Sequence, residues 1–292
     1  MADINIRKLP AGIQSFKTIR EEGYVYVDKS DIVWYLANCG KLFNYLSRPR
    51  RFGKSILVDT LQMYFEGRKE LFEGLKIMQL EKEWKQYPVI RLDLSRGGAN
   101  AETLRSYLDL RFKEYEKKYA ITLPSTAHLA DRFDAIIRTS YNQTGQQVAI
   151  LIDEYDSPLQ HSWKTPQHEA CTSIYREVFA ILKADDKYEK FVFITGITKF
   201  TQISLFSTLN TIANISFDES LAAVCGITYS ELTDNFQNEI KRLADKCNMS
   251  EEATINEMQS LYDGYHFASN MLNVYNPYSV LSAFSRGRLN SY

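Results

Sequence analysis

Apolar residues recur along the chain with two different spacings. Leu57, Leu61, Tyr64 and Phe65 fall on one face of a helix, and so do Leu104, Leu108, Phe112, Tyr115 and Tyr119. Leu129, Phe133, Ile136 and Ile137 mark a further such face. Cys171, Tyr175, Val178, Phe179 and Leu182 mark another. Between these lie short apolar runs at 41–47 (KLFNYLS), 88–95 (PVIRLDLS), 148–152 (VAILI) and 191–196 (FVFITG), each read as a strand. The weaker run 212–217 reads as a short one. An unbroken run such as VAILI suits a strand buried on both faces, and strands that alternate with amphipathic helices need crossover connections. The pattern predicts an α/β fold, a parallel sheet between two helical layers.

The pattern changes after about Ser220. Thr228 and Glu231 (T-Y-S-E) form a capping box ahead of Leu232, Phe236, Ile240, Leu243 and Cys247. Ser250 is placed to cap another helix, carrying Met258, Leu261 and Tyr262. Gly264 reads as a helix terminator with positive φ. The tail therefore reads as all-helical. The expected division is a sheet domain over residues 1–218 and a small helical subdomain over 219–292, which a chain of 292 residues accommodates.

Composition narrows the class. With 45% apolar and 24% charged residues, disorder and collagen are excluded. Thirty-five Lys+Arg against 36 Asp+Glu leave a net charge of −1, so nothing in the bulk charge supports nucleic-acid binding, although a local basic site stays open. The four cysteines, Cys39, Cys171, Cys225 and Cys247, show no C-x-x-C spacing and read as reduced thiols. His128, His161, His168 and His266 have no second ligand at helical spacing, so no metal site is expected from them. MADINIRKLP lacks the apolar core of a signal peptide, and no apolar run approaches the roughly 20 residues that cross a bilayer. A cytoplasmic protein without membrane contact is expected.

The most informative segment follows the first strand and opens the next helix: Ser47-Arg48-Pro49-Arg50-Arg51-Phe52-Gly53-Lys54-Ser55, with Ile56 continuing the helix. It fits G-x-x-x-x-G-K-[ST] except that Arg48 replaces the first glycine. Backbone N–H groups at a helix N-terminus attract an anion, and Gly53 lets the backbone approach phosphate oxygens. Lys54 would place a point charge at the β- and γ-phosphates, and Ser55 would give its hydroxyl to Mg²⁺. Arg50 and Arg51 read either as solvated charge or as phosphate contacts.

VAILI runs directly into Asp153 and Glu154. Carboxylates at the end of a buried strand emerge beside such a loop in a doubly wound sheet. Asp153 would hold Mg²⁺, and Glu154 would act as general base on the attacking water. Thr195 ends the 191–196 strand, with Thr198 just beyond, and either could sense the γ-phosphate; the plainer reading of Thr195 is a packed strand end. Asp28 and Lys29 follow a Tyr/Val alternation at 24–27, which reads as a strand closed by a surface ion pair, with packing against a base as the alternative. Asp93 reads as a site carboxylate or a turn former.

These stretches together resemble the predicted AAA-ATPase family. The resemblance rests on LPAGIQSFKTIREEGYVYVDKS, LSRPRRFGKS, YPVIRLDLS, LIDEYDSPL, FITGITKF…LFSTLN and YDGYHF…VYNPYSVLSAF, which span nearly the whole chain. The arginine at position 48 is itself similar to the family's loop. The resemblance implies a P-loop NTPase of the class with an additional strand between the two motif strands, with ATP and Mg²⁺ as ligands and with the usual roles for Lys54, Ser55, Asp153 and Glu154. It also implies a following PD-(D/E)XK nuclease-like domain, which would tie the protein to nucleic-acid processing or defence. No such signature is found up to Tyr292. The expected activity is ATP hydrolysis driving an attached domain or protein partner. The alternatives are an ATP-gated interaction switch with little turnover and a small-molecule kinase. Oligomeric state is not legible.

Overall fold

The computed structural model describes residues 7–38, 40–197 and 212–292. Five parallel strands form one sheet: β1 Phe43–Ser47, β2 Val89–Asp93, β3 Val148–Asp153, β4 Glu189–Gly196 and β5 Ala213–Asn214, in the order β2-β3-β4-β1-β5. The fold is α/β and P-loop NTPase-like, and the additional strand β4 lies between β1 and β3, as expected. The register sets Ser47 opposite Gly196, Ile152 opposite Ile194, and Asp93 opposite Asp153. One rim of the sheet thus carries the ends of all four long strands.

Alternation along VAILI divides the core. Val148, Ile150 and Ile152 face a cluster with Leu108, Phe112, Phe133, Ile137 and Phe179, from helices α5 Ala101–Lys118, α6 Leu129–Thr144 and α8 His168–Ala184. Ala149 and Leu151 face Leu36, Val58, Leu61 and Phe65, from α2 Ser30–Asn38 and α3 Lys54–Phe65. Both layers are apolar because both sheet faces are covered. Short helices α1 Phe16–Glu21, α4 Ile77–Leu80 and α7 Ser157–Ser162 complete this part.

The tail carries α9 Tyr229–Asn235, α10 Gln237–Cys247, α11 Glu251–Tyr262 and α12 Pro277–Arg286. The capping box at Thr228 and the Ser250 cap are both present, and Gly264 has φ +95°. The helices meet expectation, but the tail is not all-helical. A two-stranded hairpin, β6 Tyr265–His266 and β7 Asn273–Val274, interrupts it. Its strands are too short for any alternation to register. The 212–217 run is likewise mostly a tight 3₁₀ turn after two strand residues.

The tail core is not made by the tail alone. Leu9, Val25 and Val27 pack against Ile227, Leu232, Phe236, Leu243, Met258 and Val280. Lys29 donates to both oxygens of Glu231, at 2.7 and 2.6 Å, and Arg7 Nε donates to Glu239 at 3.2 Å. This corrects the reading of Lys29: residues 24–27 form no strand, and the ion pair is buried, with Lys29 only 8% exposed.

At the opposite rim, the start of β4 buries Glu189 with neither carboxyl oxygen hydrogen-bonded. Burial, reinforced by Asp185 and Asp186, pushes its pKa up to about 9. The native state therefore holds a proton that the unfolded chain releases above its ordinary value of 4.5, and stability declines as pH rises from there to about 9. Glu189→Gln is expected to flatten that decline and to gain about 1–3 kcal/mol at pH 8. Urea melts at pH 5, 7 and 9 measure it; an unchanged pH slope in the variant would count against the assignment.

Candidate functional site

The segment from Ser47 to Gly53 turns sharply off β1 into α3. Gly53 has φ +93°, a conformation that costs a side chain-bearing residue energy, and Arg51 also sits at φ +67°. The helix that follows has no acidic residue in its first turn, whereas α5, α6, α8 and α11 begin with Glu102, Asp131, Glu169 and the pair Glu251–Glu252. Carboxylates usually complement the positive end of a helix; α3 leaves that end for another anion. Lys54 is 4% exposed, and its amine donates to the carbonyls of Arg48 and Pro49, both at 3.1 Å. The lysine is thus held under the arch of its own loop.

Across the rim, β3 ends in Asp153, 2% exposed. Its Oδ1 accepts a hydrogen bond from the Thr195 hydroxyl, which in turn accepts from the Glu154 N–H at 3.1 Å. Glu154 takes φ +49°. That turn carries its carboxylate away from the strand direction and toward the loop; strain of this kind persists where surrounding contacts enforce it. Here those contacts are the Glu154 N–H bond and Tyr155 N–H to the Thr195 carbonyl at 2.9 Å. Gly196 is required beside them, since a Cβ there would lie 2.7 Å from the Tyr155 ring. Burial raises the Glu154 pKa; Lys54 opposes the shift, while Asp153, Asp93 and Asp156 add to it.

A cleft of ≈ 540 Å³ brings these groups together, lined by Arg50, Arg51, Gly53, Lys54, Ser55, Ile56 and Glu154. Pro49 contributes its carbonyl to Lys54. Phe52 is not in this cleft's lining: it is buried, with the Tyr265 and Phe267 rings at 4.7 and 5.5 Å, and lines the adjoining apolar cavity. Asp153 and Thr195 lie just behind the cleft wall rather than on it. Thr198 lies outside the described residues. Asp93 is a turn former, accepting from Ser95 N–H at 3.2 Å and Ser95 Oγ at 2.6 Å.

Sequence reasoning missed several contributors. His161 and Ser157 line the cleft from α7. Tyr278, at the start of α12, lines it as well and holds the Arg51 guanidinium 4.3 Å from its ring centroid. Asp156 is buried and accepts from the Ile197 N–H at 2.9 Å, pinning the exit of β4. Its place three residues after Asp153 was the only signal.

The cleft opens into a smaller apolar cavity of ≈ 110 Å³, sharing Pro10, Gly53, Ile56, Pro277 and Leu281 with it. Val25, Val27, Ile227 and Phe236 form its walls, and Lys29 also lines it. The oxygen donors fit a hard cation: Ser55 Oγ, and Asp153 with one oxygen engaged by Thr195. Among the described residues no group of three or more His, Cys, Asp or Glu side chains is disposed to hold a metal. Cys171 and Cys225 are buried free thiols and Cys247 a half-buried one; Cys39 lies outside the described residues. Among the described residues, no helix is long and apolar enough to cross a membrane.

A glycine–lysine–serine turn between the first strand and helix of a parallel sheet, with the β4 insertion, defines a P-loop NTPase-like protein. The family described as "Predicted AAA-ATPase" matches residues 10–206, and the chain belongs to it. A curated relative, "Uncharacterized protein in vnfD 5'region" of Azotobacter chroococcum mcd 1, is 32% identical over 289 residues, covering 98% of this chain. The chain spans about half, 53%, of that relative's length.

Proposed function

We propose that the protein binds MgATP in the cleft and hydrolyses its γ-phosphate bond. The observation that carries this reading is the meeting of Lys54 and Ser55, at an acid-free helix N-terminus, with Glu154 in one cleft. The base enters the apolar cavity beside Gly53 and Ile56. The α3 N–H groups and Lys54 receive the β- and γ-phosphates, the lysine exchanging its loop carbonyls for phosphate oxygens. Ser55 and Asp153 would hold Mg²⁺, which would supply charge neutralisation at the phosphates. Glu154 orients a water in line with the γ-phosphorus and takes its proton. Thr195 fixes the Asp153 carboxylate and the Glu154 main chain, and Arg50 and Arg51 stabilise the leaving charge.

The cleft is roofed by Tyr278 and Pro277 of the tail, so the 219–292 unit is proposed to move as nucleotide turns over and to pass that motion to an attached domain or protein partner. A second reading, an ATP-gated switch with little turnover, draws on the same Arg51–Tyr278 contact.

Saturating MgATP is expected to stabilise the fold by mass action. At a hundredfold excess over Kd the gain is about 2.7 kcal/mol, or roughly 5 °C in Tm for a chain of this size. Differential scanning fluorimetry with MgATP, paired with phosphate release, tests the reading. A flat Tm refutes nucleotide binding; a shifted Tm without phosphate release selects the switch.

A further inference from the structure

Arg48 stands where the phosphate-loop pattern has its first glycine, and its guanidinium is turned away from the cleft. The residue is 1% exposed. Nη1 donates to the carbonyls of Ser47 at 2.9 Å and Ser216 at 2.8 Å; Nη2 donates to that of Leu221 at 3.2 Å. The Phe267 ring covers it, 4.1 Å from guanidinium carbon to ring centroid. Nε has no partner, and no carboxylate pairs with the group among the described residues. Residues 198–211 contain no Asp or Glu. Buried charges are ordinarily paired, so a cation bonded only to carbonyls is a costly arrangement in the absence of an anion. Burial lowers its pKa, yet arginine stays protonated throughout the working pH range.

The main chain of the same residue completes the connection. Arg48 N–H donates to Gly196 at 3.2 Å, and Arg48 O accepts from Lys54 Nζ at 3.1 Å. One residue therefore ties the ends of β1 and β4, the turn after β5 and the 265–274 hairpin to the lysine of the loop.

We propose that Arg48 is a positioning residue for the nucleotide phosphates: it braces the loop from behind, and its buried charge, which no carboxylate among the described residues pairs, is neutralised by the arriving phosphates. The proposal rests on the MgATP reading above. A fixed charge in a poorly solvated setting acts over several ångströms with little screening. Its effect must therefore grow with the charge of the ligand.

Calorimetric affinities of the full chain for MgATP, MgADP and AMP test it in wild type, Arg48→Gln and Arg48→Lys, with circular dichroism melts of each. Gln keeps donors for the carbonyls and removes the charge; Lys keeps the charge. Arg48→Gln is expected to weaken MgATP about tenfold or more, MgADP less and AMP least, while Arg48→Lys retains most of the MgATP affinity. Wild-type affinity in Arg48→Gln overturns the proposal, as does an equal loss for all three nucleotides or an equal loss in Arg48→Lys. If Arg48→Gln melts below the assay temperature, Arg48→Lys decides: loss of the MgATP preference over AMP in a folded Arg48→Lys chain overturns the proposal, and its retention supports it. A folded wild type that binds no MgATP removes the nucleotide reading itself, a result distinct from these.

Discussion

Lys54→Ala is expected to weaken MgATP binding by roughly 30- to 4,000-fold while the chain stays folded. Deleting one partner of a desolvated, charge-assisted contact costs about 2–5 kcal/mol, and each 1.4 kcal/mol is tenfold. The fold should survive because, among the described residues, the lysine amine bonds two loop carbonyls, Arg48 and Pro49, and pairs with no carboxylate. Removing it leaves the β3 strand and both sheet cores untouched. Isothermal calorimetry measures the affinity, and a melt records the fold. An unaltered Kd would mean that phosphate does not sit in the 48–55 turn.

The second large effect belongs to Glu154. Glu154→Gln is expected to lower turnover by about 10²–10⁴-fold, the usual contribution of a general base, with MgATP affinity equal or higher because a negative charge leaves the cleft. The pH dependence follows from its environment. Burial raises its pKa, with Asp153, Asp93 and Asp156 adding to the shift and Lys54 opposing it, so in the free enzyme the base is protonated and idle on the acid side. Wild-type kcat/KM should climb with pH through a limb lying above the ordinary glutamate value, and the residual rate of Glu154→Gln should lack that limb. Phosphate release followed from pH 4.5 to 8.5 resolves both. Full turnover in the variant would move the base elsewhere, with His161 lining the same cleft.

What the sequence made legible was local. Val148–Ile152 announces a central strand because five adjacent apolar residues satisfy two covered faces at once. The Thr228–Glu231 box and the Ser250 cap are readable because their bonds close within three residues. The phosphate-loop signature is contiguous for the same reason. What escaped depends on distance along the chain. Lys29 reads as a surface residue until Glu231, 202 positions later, is found against it. The Thr195 hydroxyl could not be assigned without knowing that β4 inserts beside β3 and presents it to Asp153. His161 lines the cleft from a six-residue helix too short to show a periodic face. Arg48 stands out in the sequence only as a departure from the glycine pattern that resembles the family's loop, because nothing in its neighbours names Ser216, Leu221 or Phe267 as its surroundings.

The sharing of the third core between Leu9, Val25 and Val27 and the helices beyond Ile227 bears on how the molecule is made. On a translating ribosome the early segment emerges with its apolar side chains uncovered. It waits for about 200 further residues, some 10–40 s at ordinary elongation rates, before its packing partners exist. The walls around Gly53 and Ile56 can close only once the segment from Ile227 to Leu281 has been made. A nascent chain should therefore acquire nucleotide affinity late and abruptly, after the parallel sheet has already formed.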